Sequence, residues 1–194
     1  MLDYEKKISG VVIAGVDVAG RGPLAGPVVC ACVIMPMAED LIIDGINDSK
    51  KLTEKKREVL FDLIKHRALA YAIIEVDEKT IDEINILNAT KLGMKKAVES
   101  LKIKPDVVLV DAVKLDIGFP QENIIKGDAL SYNIAAASIL AKVYRDRLMK
   151  EYDLKYPQYQ FAKHKGYGTK LHVEMLKKCG KSPIHRNTFI KNFI

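Results

Sequence analysis

The sequence predicts an α/β protein: a mixed β-sheet with helices packed on its faces. Three observations carry this. Two apolar runs, residues 11–16 and 107–110, each close on an acid, Asp17 and Asp111. The first run is joined to another, 28–35, by a short glycine- and proline-rich link, so the chain opens as a hairpin-like return. Beyond it, strand-like runs alternate with stretches of helical periodicity.

The elements follow in order. Val11 to Val16 reads as a strand ending at Asp17, and Pro27 to Met35 as a second, buried strand. Thr53 is placed to cap a helix running to about Arg67, with Val59, Leu60, Leu63 and Ile64 on one face. Leu69 to Val76 forms another strand. Asp77 caps a short helix, and Asn85 precedes a longer one whose apolar face includes Leu92, Val98 and Leu101. Pro105-Asp106 breaks into the strand 107–110. Ile124-Ile125 forms a short strand before Gly127-Asp128, and a long helix runs from about Ala129 to Tyr152. Its small residues Ala135, Ala136, Ala137 and Ser138 allow close packing on a sheet. From residue 153 the pattern loosens into a small C-terminal subdomain. Its last clear helix, about Lys170 to Lys178, is capped by Thr169 and stopped by Gly180.

The 194 residues suit one domain, or a domain with a small appendage. No apolar run reaches the roughly 18 residues of a membrane span. The start, Met1 to Lys6, lacks the basic and apolar pattern of a secretory leader, so a cytoplasmic protein is expected. Cys30 and Cys32 alternate along one strand and share a face, which places them poorly for a disulfide; reduced, buried thiols are expected. The net charge of +6 tilts towards polyanionic partners.

Asp17 and Asp111 end strands, and Asp128 stands before the long helix. Carboxylates converging at strand ends repel one another unless a divalent cation neutralises them, and hard oxygen donors suit Mg²⁺ or Mn²⁺. The plainer alternatives are that Asp111 opens a turn and Asp128 caps a helix. Asp146 lies 18 positions along the same helix from Asp128, roughly 27 Å at about 1.5 Å per residue. It reads instead as a charge paired on the helix surface. The run 20–25 formally fits a dinucleotide fingerprint, but Pro23, Gly26 and Pro27 lead into a strand, whereas that fingerprint must open a helix. A tight turn presenting backbone amides to a substrate fits better. Basic residues gather in 49–51, 164–169 and 182–186, where loop lysines suit phosphate and Tyr167, between glycines, suits stacking. Each segment alone also reads as an ordinary solvated loop. His164 has no partner at zinc-ligand spacing.

Taken in order, these segments resemble bacterial type 2 ribonuclease H, ribonuclease HII, over nearly the whole chain. The matching stretches are Gly15-Val16-Asp17 with 19–27, then 48–53, 110–112, 126–129, 135–143 with 145–147, 164–169 and 182–186. The resemblance implies an RNase H-like catalytic domain over 1–152 and a substrate-binding subdomain over 153–194. It implies a monomeric endonuclease, with no membrane partner, that cuts the RNA strand of RNA–DNA hybrids and at single ribonucleotides in duplex DNA. Asp17, Asp111 and Asp128 would hold two divalent metals, Mn²⁺ or Mg²⁺. One would activate water and the other would stabilise the leaving 3′ oxygen, giving 5′-phosphate and 3′-hydroxyl ends. Gly20, Arg21, Gly22 and Tyr167 would read the 2′-hydroxyl, and Ser49, Lys50 and Arg186 would contact the substrate, Lys50 and Arg186 through phosphate.

One position departs from the pattern. Val18 stands where the family has a glutamate, the fourth acidic ligand, and valine cannot ligate a metal. The expectation is an attenuated nuclease. The alternative is a catalytically inactive hybrid-binding protein of the same fold.

Overall fold

The computed structural model describes residues 4–8 and 11–194, so Met1 to Asp3 of the leader reading lie outside it. Its centre is a five-stranded sheet in the order β3-β2-β1-β4-β5. The strands are β1 (Ile13–Ala19), β2 (Val28–Ile34), β3 (Ala70–Val76), β4 (Val107–Asp111) and β5 (Gln121–Ile124). β1, β2 and β3 pair antiparallel, as the short link predicts, whereas β4 lies parallel to β1 and β5 parallel to β4. The chain therefore meanders to one side of β1 and returns by a crossover to its other side. The gap between β1 and β4 is the switch point at which such sheets bind ligands.

The period-2 alternation of β2 divides the core. Val29, Ala31 and Val33 face one cluster with α1 (Glu54–Arg67) and, further along the chain, the long helix over 132–155. Cys30, Cys32 and Ile34 face the other, with Met94, Ala97 and Val98 of α2 (Glu78–Glu99). All seven β2 residues are buried, as a strand covered on both faces requires. Cys30 and Cys32 are free and buried, and burial pushes both thiols up.

Several elements differ in detail from expectation. β1 continues through Asp17 to Ala19, because Asp17, Val18 and Ala19 pair with Ala31, Cys30 and Val29. α1 starts as predicted, Thr53 Oγ1 accepting from the Lys56 N–H. Its buried stripe is Leu60, Phe61 and Ile64, however, and Val59 and Leu63 are exposed. The Phe61 ring turns inward and also carries the Arg147 guanidinium 4.5 Å from its centre. Asp77 caps the start of α2, and Asn85, at φ 65°, kinks it where a second helix was expected to begin. Asn85 Oδ1 accepts from the N–H groups of Leu87 and Asn88, restarting the helix. Leu92 is only half-buried. Ile125 is exposed, because β5 ends at Ile124.

The expected long helix is two. α3 (Gly127–Leu130) ends at Ser131, which is extended at φ −112° and caps α4 (Tyr132–Lys155) by accepting from the Ile134 N–H at 3.2 Å. α4 runs past 152, and the chain then folds back through α5 (Phe161–His164), α6 (Lys170–Cys179) and α7 (Asn187–Ile190). Tyr159, Phe161 and Ile184 form a cluster with Ala25 and Met149. Three backbone bonds tie this return to the loop after β1: Leu24 N–H to Gly166 O, Gly26 N–H to Ile184 O, and Arg186 N–H to Leu24 O.

α4 lies so close to β1 that a methyl group at Gly15 would overlap the backbone of Asn133 and Ile134. Gly15→Ala is therefore expected to destabilise the protein by about 3 kcal/mol or more, since two backbones must separate. An unfolding free energy from denaturant titration within about 0.5 kcal/mol of wild type would contradict this packing. Among the described residues, no helix is long and apolar enough to cross a membrane.

Candidate active site

The parallel register sets Val16 beside Val110, so Asp17 and Asp111 follow on adjacent strands at the switch point. Both line a cleft of about 530 Å³ with Val18, Ala19, Gly20, Arg21, Gly22, Ser49, Lys50, Arg57, Ser138, Lys142 and Tyr167. Asp128 is absent from that lining. It sits buried in α3, and Lys50 Nζ bridges towards it at 3.5 Å from Oδ2. The Gly127 N–H donates to Asp111 Oδ1 at 2.8 Å, so Asp111 anchors the α3 turn that carries Asp128.

Burial pushes Asp17 up to about 8, and the charges of Asp111 and Asp128 push the same way. Burial also raises Asp128, with Asp48 and Asp111 adding to it and Lys50 opposing. Burial works against the Lys50 ammonium, but Asp128, Asp48 and Asp17 outweigh it and its pKa rises. The three aspartates thus form one electrostatic unit short of positive charge. Among the described residues, no three ligand-type side chains converge as a ready-made cage for an ion. The donor chemistry still fits a hard divalent cation, which would relieve the burial and repulsion that raise Asp17 and Asp128. Val18 borders the cleft while packing against the apolar residues under β1, and offers no donor.

The rim is built by the loop after β1. Gly20 is at φ 92° and rests on the Arg145 side chain, leaving no room for a Cβ. Arg145 and Arg186 are both buried. Arg145 donates to the carbonyls of Pro27, Ala25 and Lys165. Arg186 donates to those of Gly26, Arg21 and Gly20 at 2.9, 3.0 and 2.7 Å, with Phe189 beneath it. Burial lowers Arg145 to about 10 and Arg186 to about 9. The expected phosphate contact by Arg186 is thus corrected: its guanidinium is spent on the loop. Arg186→Met leaves three carbonyls without their donors, so a loss of about 3–5 kcal/mol is expected. A melt unchanged from wild type would restore Arg186 as a free ligand.

Tyr167 is 44% exposed and stands beside Gly22 across the cleft mouth. Lys50 reaches solvent, whereas Ser49 is buried, its N–H donating to Ser138 Oγ and its carbonyl accepting from Arg57. Sequence reasoning missed Arg57, Ser138 and Lys142. Lys142 pairs with Asp146 at 2.7 Å, and Arg57 approaches the same carboxylate at 3.9 Å. Asp146 is therefore buried behind the cleft-lining Lys142 and Arg57, not paired on the surface. The i,i+4 spacing of Lys142 and Asp146 was the available signal.

A family model described as Ribonuclease HII matches residues 14–192. The chain belongs to the ribonuclease HII family. A Ribonuclease HII of Acetivibrio thermocellus is 61% identical over 184 residues, covering 94% of this chain and 71% of its own. Among solved structures, the ribonuclease H2 of Pyrococcus horikoshii OT3 is 33% identical with a TM-score of 0.76, covering 91% of this chain and 92% of that one. Bst-RNase HIII, solved in complex with Mn²⁺, is 16% identical with a TM-score of 0.70 over 95% of this chain and 68% of that one, a likeness of fold. The chain is accordingly a hydrolase, a type 2 ribonuclease H endonuclease; enzymes of the RNase H family depend on divalent metal and act on RNA–DNA hybrids.

Proposed function

We propose that this protein recognises single ribonucleotides in duplex DNA as well as RNA–DNA hybrids, and that Val18 leaves it able to bind but poor at cutting. The observation that carries the reading is the cleft itself: Asp17 and Asp111 on its floor, with Gly20-Arg21-Gly22 and Tyr167 facing each other at its mouth.

Asp17, Asp111 and Asp128 would hold the divalent metal, Mg²⁺ or Mn²⁺ in two sites, which supplies Lewis acidity and an activated water at the scissile phosphate. The chain's own residues do the rest. Arg145 and Arg186 hold the 20–26 loop from beneath, so the glycine-flanked backbone meets the nucleic acid without side-chain bulk. Tyr167 closes on the sugar from the other side, where the 2′-hydroxyl separates RNA from DNA. Lys50, Lys142 and the +6 net charge draw the phosphate backbone in. The segment 153–194 serves substrate binding by carrying Tyr167. The protein acts as a monomer in the cytoplasm.

The test is binding of a DNA duplex with one ribonucleotide beside the same duplex in DNA alone, at two salt concentrations, followed by cleavage in Mg²⁺ and Mn²⁺. Tighter binding of the ribonucleotide duplex, weakening steeply with salt, is expected, with little or no cleavage. Equal affinity for both duplexes would sink the reading, and rapid cleavage would sink the attenuation.

A further inference from the structure

Tyr167 lies between Gly166 and Gly168, which bring no side chains to hold it, so its position depends on what grips its backbone. Under it lie three buried imidazoles: His164 of α5, His172 of α6, and His185 in the loop before α7. The rings of His164 and His172 stack with centres 4.3 Å apart, and Phe161 and Tyr159 close the box edge-on.

The hydrogen bonds fix every proton in this box. The Ser182 N–H donates to His185 Nδ1 at 2.9 Å, and the Ser182 hydroxyl reaches the same nitrogen at 2.7 Å. Nδ1 of His185 is therefore bare, and its proton sits on Nε2. That Nε2 meets Nε2 of His172 at 3.0 Å, so His172 must accept there and carry its own proton on Nδ1. Nδ1 of His172 in turn donates to the Tyr167 carbonyl at 2.9 Å. His164 is separate: its Nδ1 accepts from Gly166 N–H and its Nε2 donates to the Tyr159 carbonyl. A second proton on either ring of the chain would set two N–H groups against each other or against the Ser182 N–H. Burial, with the neighbouring imidazoles adding to it, holds His172 and His185 at about 4, so both are neutral at pH 7.

We propose that His172 and His185 are positioning residues for ribonucleotide recognition: a one-way chain, Ser182 to His185 to His172 to the Tyr167 carbonyl, that sets the Tyr167 ring at the cleft mouth. This rests on the reading of Tyr167 as the residue that meets the sugar. The direction of the chain matters. It delivers one N–H to a carbonyl that already accepts from the Thr169 N–H at 2.8 Å, while the Tyr167 N–H donates to the His164 carbonyl at 2.9 Å. Both ends of the Tyr167 peptide are thereby gripped, and the side chain between them is free to face substrate.

Two measurements test this. Nitrogen-15 NMR of the histidine-labelled protein at pH 7 is expected to show protonated Nε2 and bare Nδ1 for His185, and the reverse for His172. Any other pattern overturns the chain. Affinity for the single-ribonucleotide duplex against its all-DNA counterpart is then compared across Tyr167→Ala, His172→Phe and His172→Gln. His172→Phe keeps the ring shape without the bonds, and should lose about tenfold of the ribonucleotide preference, as Tyr167→Ala does. His172→Gln can both accept and donate, and should restore most of the preference. Full preference in a folded His172→Phe protein, beside a loss in Tyr167→Ala, overturns the proposal and leaves the cleft reading standing. If wild type and Tyr167→Ala bind the two duplexes alike, the cleft reading fails and takes this one with it.

Discussion

Val18→Glu is expected to raise metal-dependent cleavage of a single-ribonucleotide duplex by about 100-fold or more, the scale on which one electrostatic group at a reacting centre acts. Val18 borders the cleft that Asp17 and Asp111 line, so a carboxylate at this position can turn into it. Charge, not size, should do this. Val18→Gln, of the same length but neutral, is expected to leave cleavage near the wild-type level. The gain comes with a loss in the metal-free protein. Val18 packs against the cluster of Val28, Val76, Ile81 and Ala89, and a glutamate forfeits that contact while adding charge beside Asp17. The metal-free Val18→Glu protein should therefore be about 1–2 kcal/mol less stable. If wild type and Val18→Glu cut equally fast, three aspartates suffice and Val18 is no lesion.

The local chemistry of this chain was legible wherever one segment carries the whole signal. Thr53, Asp77 and Thr169 cap the helices they precede, and Asp17 and Asp111 end up together because each follows an apolar run on one of two neighbouring parallel strands. What was illegible depends on partners far away in sequence. Arg186 sits in a basic run and reads as a phosphate ligand, yet the carbonyls that use it lie some 160 residues earlier. Arg57, Ser138 and Lys142 reach one cleft wall from two helices, and no spacing in the sequence joins Arg57 to the others. The break at Ser131 was missed for a different reason. Apolar residues continue across it, and the serine acts as a cap only because the chain there is extended. That break decides where Asp128 goes: on a four-residue turn anchored by Asp111, not along the axis of α4. The face of α1 turned on Phe61, whose partners are α4 and the sheet and so cannot be read from α1 alone.

Asp17→Asn is expected to stabilise the metal-free protein by about 2–4 kcal/mol at pH 7.5, at about 1.4 kcal/mol per unit of pKa displacement, discounted for relaxation around a buried group. Burial, with Asp111 and Asp128, lifts Asp17 from the ordinary carboxylate range to about 8. The folded state therefore holds this proton more tightly than the unfolded chain. Stability falls as pH rises from about 4 to about 8, and is flat beyond. Asparagine keeps the shape and carries no charge, so its advantage should vanish near pH 4 and be full near pH 8. His172 and His185 act in the opposite sense. Their pKa values are lowered to about 4 by burial, so the stability they contribute is present above about 6.5 and is lost as pH falls towards 4. Both proteins share these histidines, so the difference between their urea-unfolding free energies isolates Asp17. Metal provides the independent check. A cation bound to the folded state alone stabilises by mass action, so millimolar Mn²⁺ should raise the wild-type midpoint and move the asparagine variant little. An asparagine variant no more stable than wild type at pH 7.5 would mean that Asp17 meets water or a cation where the cleft floor now buries it. An equal response of both proteins to Mn²⁺ would place the metal away from Asp17.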